Sequence, residues 1–155
     1  MLQKASHKKM PTLAHVLTPF PHHIEKDATA GEAKQLMADL GIHHVIVLSS
    51  GDMYGLLTER DLLHHLNLYG ARESEAGTEN ELLVSDLCLD RIVVADINDP
   101  LDRVLEGMVA QKLGSVVVLK NGDLAGIFTM TDACKQFANF LQEEYAGEEP
   151  PDIIA

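Results

Sequence analysis

The chain has 155 residues, a formal net charge of −12 and a hydrophobic content of 46%. This length fits one compact domain or two half-sized units that share a core, and the composition excludes disordered and fibrous classes. The negative charge repels phosphate backbones and anionic lipids, so we expect neither nucleic acid nor a membrane surface as a partner.

The first half of the chain shows a pattern of strands and helices after a polar leader at residues 1–12. Thr29 is a suitable N-cap, and apolar residues spaced i, i+3, i+4 and i+7 follow it as far as Gly41, which predicts an amphipathic helix. Ser50-Gly51 between two apolar runs predicts a hairpin. In chain order we expect a helical turn at 13–17, a strand at 22–26, a helix at 27–41, strands at 44–48 and 53–58, and a helix at 61–69.

The second half repeats this order after a polar linker at residues 70–83, which carries almost no apolar residues before 82. Asn121-Gly122 is a strong signal for a tight hairpin turn. We expect a helical turn at 83–87, a strand at 92–96, a helix that begins at 98–100, strands at 116–119 and 124–129, and a last helix at 132–145. Residues 142–155 comprise the end of that helix and an acidic tail.

The two halves match without a gap when the sequence is shifted by 71 positions. The matched positions pair Gly51, Asp52, Gly55, Thr58 and Asp61 with Gly122, Asp123, Gly126, Thr129 and Asp132. A match of turn, strand and polar positions in one order indicates two structural repeats. The sequence therefore predicts an α/β fold of two pseudo-symmetric repeats, at 13–69 and 84–141. Each repeat is strand, helix, strand, strand and helix behind a helical turn, and the repeats are packed sheet to sheet.

Each repeat ends its hairpin with the pattern Thr-x-x-Asp. A strand that ends in Thr58 and a helix that starts near Asp61 bring a hydroxyl, a carboxylate and free backbone N–H groups to one corner. The carboxylate can accept hydrogen bonds from a ribose diol, while the hydroxyl and the amides can donate to phosphate. The competing interpretation is that these side chains only cap the helix.

The chain resembles a tandem pair of CBS domains, the Bateman module found in cystathionine beta-synthase, IMP dehydrogenase and the gamma subunit of AMP-activated protein kinase. The resemblance rests on Gly55-Leu-Leu-Thr-Glu-Arg-Asp61 and Gly126-Ile-Phe-Thr-Met-Thr-Asp132, each behind a valine-rich strand and a Gly-Asp turn at the family's spacing. It covers residues 13–69 and 84–140 and leaves no room for a separate catalytic domain. It therefore implies a stand-alone regulatory module and not an enzyme.

The resemblance also implies two adenosyl-binding sites, each formed by both repeats. The expected ligands are AMP, ADP, ATP or S-adenosylmethionine, and no cofactor is required. The first site would combine the Thr58 and Asp61 corner with an adenine slot near Val93, Val94, Gly114, Ser115 and Val116. The second site would combine the Thr129 and Asp132 corner with a slot near His22, His23, Ile24, His43, His44 and Val45.

The first site is expected to be the better nucleotide site. Arg60 lies inside its Thr-x-x-Asp motif, and His43 begins a strand from which the family often reaches phosphate. At the matching positions the second repeat has Thr131 and Gly114, neither of which is basic. Arg60 also has a competing role as a solvated side chain that pairs with Glu59 or with a carboxylate of a partner subunit.

Apolar helix faces predict a homodimer, because Leu62, Leu66, Phe137 and Leu141 are expected to stay exposed on a single pair of repeats. A regulated protein partner would then respond to the binding of the ligand. Two other functions stay open: a dimerisation module that binds no nucleotide, and a metal sensor that uses histidines. The histidines form the pairs His22-His23, His43-His44 and His64-His65.

The sequence also predicts a cytoplasmic location. The N-terminal lysines precede Pro11 and a mixed segment, unlike a secretory signal, and no apolar run approaches the length of a membrane span. Cys88 and Cys134 are far apart and outside any Cys-x-x-Cys spacing. We expect both to be reduced, buried thiols.

Overall fold

A computed structural model describes residues 9–19, 21–70, 82–88 and 92–145. After a short 3-10 turn at Leu13–His15, the elements are β1 (Thr18–Pro19), β2 (His23–Glu25), α1 (Ala30–Leu40), β3 (His44–Ser49), β4 (Asp52–Thr58), α2 (Glu59–Gly70), α3 (Val84–Leu87), β5 (Val94–Asp96), α4 (Leu101–Gln111), β6 (Ser115–Lys120), β7 (Asp123–Thr129) and α5 (Met130–Glu144). They form one sheet in the order β2-β3-β4 and another in the order β1-β7-β6-β5. This confirms the predicted α/β fold. None of the helices in these ranges is long and apolar enough to cross a membrane.

The internal duplication extends to the details of strand pairing. In both repeats the first strand pairs in parallel with the second, which pairs antiparallel with the third. Each hairpin has a register shift at the same place, after Val47 and after Val118. Both turns hold two residues at positive φ, 54° and 94° at Ser50-Gly51 and 55° and 91° at Asn121-Gly122, as tight hairpin turns require.

The helix boundaries follow from side-chain capping. Thr29 Oγ1 accepts a hydrogen bond from the Glu32 backbone N–H at 3.2 Å, and Glu32 accepts one from the Thr29 N–H at 2.7 Å, so α1 starts where expected. The backbone and hydroxyl of Thr29 lower the pKa of Glu32. Helices α2 and α5 begin two residues before the expected Asp61 and Asp132. In both, the threonine that precedes the helix accepts the aspartate's N–H.

The two repeats exchange their leading helical turns. Leu13 is fully buried in the core of the second repeat, where its N–H donates to Asp99 O at 3.2 Å. Val84 and Leu87 are buried in the core of the first repeat, and the Val84 N–H donates to Ala28 O at 2.8 Å. The two turns are again related by the shift of 71 positions. Each core is thus completed by a segment that precedes the other repeat.

Strand β1 adds a contact that the sequence did not predict. Thr18 and Pro19 pair antiparallel with Ile127 and Gly126 of β7. A proline is tolerated at this edge position, where its missing N–H is not needed. A Cβ atom on Gly126 would overlap the Thr18 carbonyl oxygen and Leu17 Cδ1. The glycine of the Thr-x-x-Asp motif therefore permits close approach of β1.

Two predictions of side-chain exposure are wrong. Leu62 is only 1% exposed and belongs to the first core together with Val84 and Leu87 of the exchanged turn, and Leu66 packs against that core. Cys134 is exposed rather than buried, and Cys88 is half-buried. Phe137 and Leu141 of α5 are exposed, at 60% and 38%. We expected exposed apolar residues on the last helix of each repeat, α2 and α5. The expected residues are exposed on α5 and packed into the core on α2.

Candidate ligand-binding cleft

The Thr-x-x-Asp corner of the first repeat is held by its own hydrogen bonds. The Thr58 hydroxyl donates to Asp61 Oδ2 and accepts the Asp61 backbone N–H at 3.2 Å. Thr58 and Asp61 therefore form a helix cap. It leaves Asp61 Oδ1 without a hydrogen-bond partner among the described residues, so the same carboxylate can still accept from a ligand hydroxyl.

This corner faces residues of the second repeat across a cavity of about 540 Å³, here called the first cleft. Its volume lies in the range of small-molecule sites. The first repeat contributes the start of β3, the end of β4 and the start of α2, and the second repeat contributes the segment before β5 and the segment that leads into β6. The lining residues are His43, His44, Leu56, Thr58, Glu59, Arg60, Asp61, Val93, Lys112, Leu113, Gly114 and Ser115.

The structure brings most of the predicted first-site residues together, and Val94 and Val116 lie beside them. These two valines line a neighbouring cavity of about 280 Å³, which shares Val93 and Leu113 with the first cleft. Val116 is buried in the second core, whereas Val94 is half exposed. A recess that is lined by valines and also by Asp99, Arg103 and Gln111 thus adjoins the polar corner.

Some charged residues of the first cleft form ion pairs with each other, and others have no ion-pair partner among the described residues. His43 Nδ1 lies 2.6 Å from Glu59 Oε2, so the partner of Glu59 is His43 and not Arg60. Arg60 is exposed and forms no ion pair with another described residue. Its guanidinium is therefore available to an anion in the cleft, as expected from its place beside Asp61.

His44 was expected in the second slot, and the structure places it in the lining of the first cleft. It starts β3 opposite Thr58, and its Nε2 lies 3.3 Å from where a Cβ atom on Gly114 would be. Burial lowers the pKa of His44 and the nearby His43 lowers it further, whereas Asp61 and Asp132 oppose the shift. His44 therefore lies within electrostatic range of the carboxylates of both Thr-x-x-Asp corners.

The lowered pKa of His44 predicts a loss of stability in mild acid. The unfolded chain takes up the proton near the ordinary value of 6.5, whereas the folded chain takes it up only at lower pH. This contribution to stability is present above pH 6.5 and is lost as the pH falls through the folded-state value. His44→Gln should therefore reduce the fall in melting temperature between pH 7.5 and pH 5.5, roughly the window in which histidine titrates.

The exposed His64 supplies the matched control for this prediction. The fall in melting temperature between the two pH values should be smaller in His44→Gln than in His64→Gln, which also replaces a histidine by glutamine but lies outside the first cleft. A wild-type slope in the His44→Gln variant would show that other groups account for the acid sensitivity.

Lys112 is a cationic lining residue that the sequence analysis missed, as it missed Leu56 and Leu113. It follows α4 in the left-handed conformation, with φ 56° and ψ 42°, where the first repeat has Gly41 at φ 62° and ψ 35°. A non-glycine residue in that conformation costs about 1 kcal/mol. The shift of 71 positions pairs Lys112 with Gly41, and a lysine in place of a C-cap glycine is the signal that could have identified it.

The Thr-x-x-Asp corner of the second repeat contains one more internal hydrogen bond than the corner of the first repeat. Asp132 Oδ2 accepts hydrogen bonds from the Thr129 N–H at 2.9 Å and from the Thr129 hydroxyl at 2.8 Å. In the first corner the Asp61 carboxylate accepts only from the Thr58 hydroxyl among the described residues. His23, predicted for the second slot, is exposed on β2.

The paired histidines do not converge on a metal site in the part of the chain that the structure describes. No group of three or more histidine, cysteine, aspartate or glutamate side chains there could hold a metal ion. Within the pairs, His64 and His65 pack edge to face with ring centroids 5.9 Å apart.

A family model described as CBS domain matches the chain twice, over residues 13–68 and 84–139. These ranges coincide with the two sequence repeats and include both Thr-x-x-Asp corners. No curated protein matches the chain.

Solved structures share the fold over most of the chain. A protein assigned to acetoin utilization (AcuB) from Vibrio cholerae is 26% identical, with a TM-score of 0.72 over 91% of this chain and 99% of that chain. The CBS domain pair of protein MJ0100, in complex with 5-methylthioadenosine and S-adenosyl-L-methionine, is 18% identical, with a TM-score of 0.71 over 84% and 98%. The CBS domain of a bacterial CNNM/CorC family Mg²⁺ transporter, in complex with ATP, is 17% identical, with a TM-score of 0.69 over 82% and 87%.

Proposed function

Because the chain belongs to the CBS-domain family, we propose that it is a regulatory module that binds an adenosyl ligand in the first cleft. The observation that carries this proposal is the composition of the cleft, which joins Thr58 and Asp61 of one repeat to Gly114 and Ser115 of the other. The adenosyl compounds and ATP bound by CBS proteins of the same fold support this ligand class.

In this proposal each part of the ligand has a matching part of the cleft. Asp61 accepts hydrogen bonds from the ribose hydroxyls through its available oxygen. The base lies toward the recess lined by Val93, Val94 and Val116. Gly114 and Ser115 form the opposite wall of the cleft and carry no large side chain. The first cleft is the stronger site, since Arg60 lines it and the matching position of the second repeat is the uncharged Thr131.

The cleft could couple ligand binding to regulation because residues of both repeats line it. A ligand that touches both repeats stabilises the arrangement of the repeats in which it binds best. We propose that a protein partner detects that arrangement in the cytoplasm. The exposed Phe137 and Leu141 favour a homodimer through α5.

A thermal-shift and calorimetric screen tests the proposal with AMP, ADP, ATP, S-adenosylmethionine and divalent metals. At a ligand concentration about 100-fold above the dissociation constant, we expect a rise in melting temperature of about 5 °C or more. If no adenosyl compound raises it, the module is a structural or dimerisation unit. A rise with zinc or nickel that His43→Ala abolishes would instead establish a metal sensor.

A further inference from the structure

The backbone at Lys112 suggests that its side chain has a function. Its N–H caps α4 by donating to Met108 O and Val109 O, a role that needs no lysine side chain. The other described non-glycine residues at positive φ, Ser50 and Asn121, lie in hairpin turns that demand this conformation. At the end of α4 a glycine would adopt the conformation freely, as Gly41 does at the end of α1.

The location of Lys112 indicates what that function is. Lys112 lines the first cleft from the second repeat, and Arg60 lines the same cleft from the first repeat. Both are exposed, and neither forms an ion pair with another described residue. Glu59, the carboxylate next to Arg60, is already hydrogen-bonded to His43. The cleft therefore holds two available cations from different repeats in a chain whose formal charge is −12.

The second repeat provides an internal comparison. Under the shift of 71 positions, Gly41 matches Lys112 and Thr131 matches Arg60, so both cationic positions are neutral at the other corner. Two separate sequence differences thus both place positive charge at the first cleft and none at the other corner. Positive charge is concentrated at the cleft whose aspartate is less engaged by its own corner.

We propose that Lys112 selects phosphorylated nucleotides for the first cleft by binding a ligand phosphate together with Arg60. This inference rests on the proposed adenosyl function and adds the ligand's chemical class. An ammonium group offers three donors to phosphate oxygens, and hydrogen bonds between charged groups are among the strong ones. Adenosine has no phosphate and carries no charge, so it does not gain this contact.

Lys112→Gly tests the proposal because it removes the cation and keeps the backbone conformation. The unliganded variant should melt at the same temperature as the wild type or a few degrees above it, since glycine relieves the left-handed strain. By calorimetry, ATP should bind about 10-fold more weakly to the variant, as expected for one charged hydrogen bond. Adenosine should bind equally to both, and Lys112→Arg should retain tight ATP binding.

The outcomes separate this inference from the function on which it rests. If Lys112→Gly weakens ATP and adenosine equally, or weakens neither, the phosphate role of Lys112 is wrong while adenosyl binding stands. If neither compound binds the wild type, the proposed function and this inference both fail.

Discussion

Asp61→Asn is expected to weaken adenosyl-ligand binding about 100-fold, the largest effect of any single change in the first cleft. The carboxylate can accept both ribose hydroxyls, and hydrogen bonds to a charged acceptor are worth about 1.5–3 kcal/mol each. Asparagine keeps the size of the side chain and offers one neutral acceptor in place of the carboxylate. Isothermal titration calorimetry with ATP measures the loss directly.

Asp132→Asn is the matched control, because Asp132 occupies the same position in the other Thr-x-x-Asp corner. Both variants lose a carboxylate that accepts from the preceding threonine, so both test the cost of an altered cap. We expect Asp132→Asn to change binding at the first cleft by less than about 3-fold, below 1 kcal/mol. Equal losses in both variants would show that the first cleft is not the preferred site.

Gly126→Ala is expected to destabilise the fold by about 3 kcal/mol, through overpacking. The added methyl group would meet the Thr18 carbonyl oxygen, which belongs to the backbone of β1 and cannot move away without breaking the pairing of β1 with β7. The leading turn at Leu13, just before β1, would lose its anchor on the second core. Urea denaturation measures the change in the free energy of unfolding.

Gly107→Ala provides the control for the general cost of adding a methyl group. Gly107 lies within α4, and a Cβ atom there meets nothing within 4 Å. Alanine in a helix is favoured over glycine by about 1 kcal/mol, so this variant should gain stability. Wild-type stability in Gly126→Ala would mean that β1 does not pack against β7 as the structure shows.

The sequence predicted helix ends and hairpin turns correctly where a few neighbouring residues determine them. The Thr29 cap, the Gly41 terminus and the Asn121-Gly122 turn each depend on a few neighbouring residues, and all three are confirmed. The shift of 71 positions then extended the prediction from one repeat to the other. The fold could therefore be predicted from the sequence, because the same local patterns occur in both repeats.

Long-range contacts account for what the sequence did not predict. Nothing near Leu13 or Val84 shows that each turn packs on the opposite repeat, and this exchange is what buries Leu62. The two-residue strand β1 is too short to give a period, and its proline argues against a strand. Lys112 was missed because its left-handed backbone depends on where α4 ends.

The exchanged turns also bear on how a signal could leave the cleft. Each core contains a segment that precedes the other repeat, so the two cores are linked through the exchanged turns. Packed cores resist continuous deformation, so a ligand is expected to shift the balance between a few discrete arrangements. The first cleft lies where such arrangements differ, since its walls come from both repeats.

Amide correlation spectra recorded during a titration with ATP test the central claim most directly, because they report both walls of the cleft at once. The account predicts that the resonances of Thr58 and Asp61 in the first repeat shift together with those of Gly114 and Ser115 in the second. At the same concentration those of Thr129 and Asp132 should move less. Shifts confined to one repeat, or larger at the second corner, would contradict a nucleotide site shared by the two repeats.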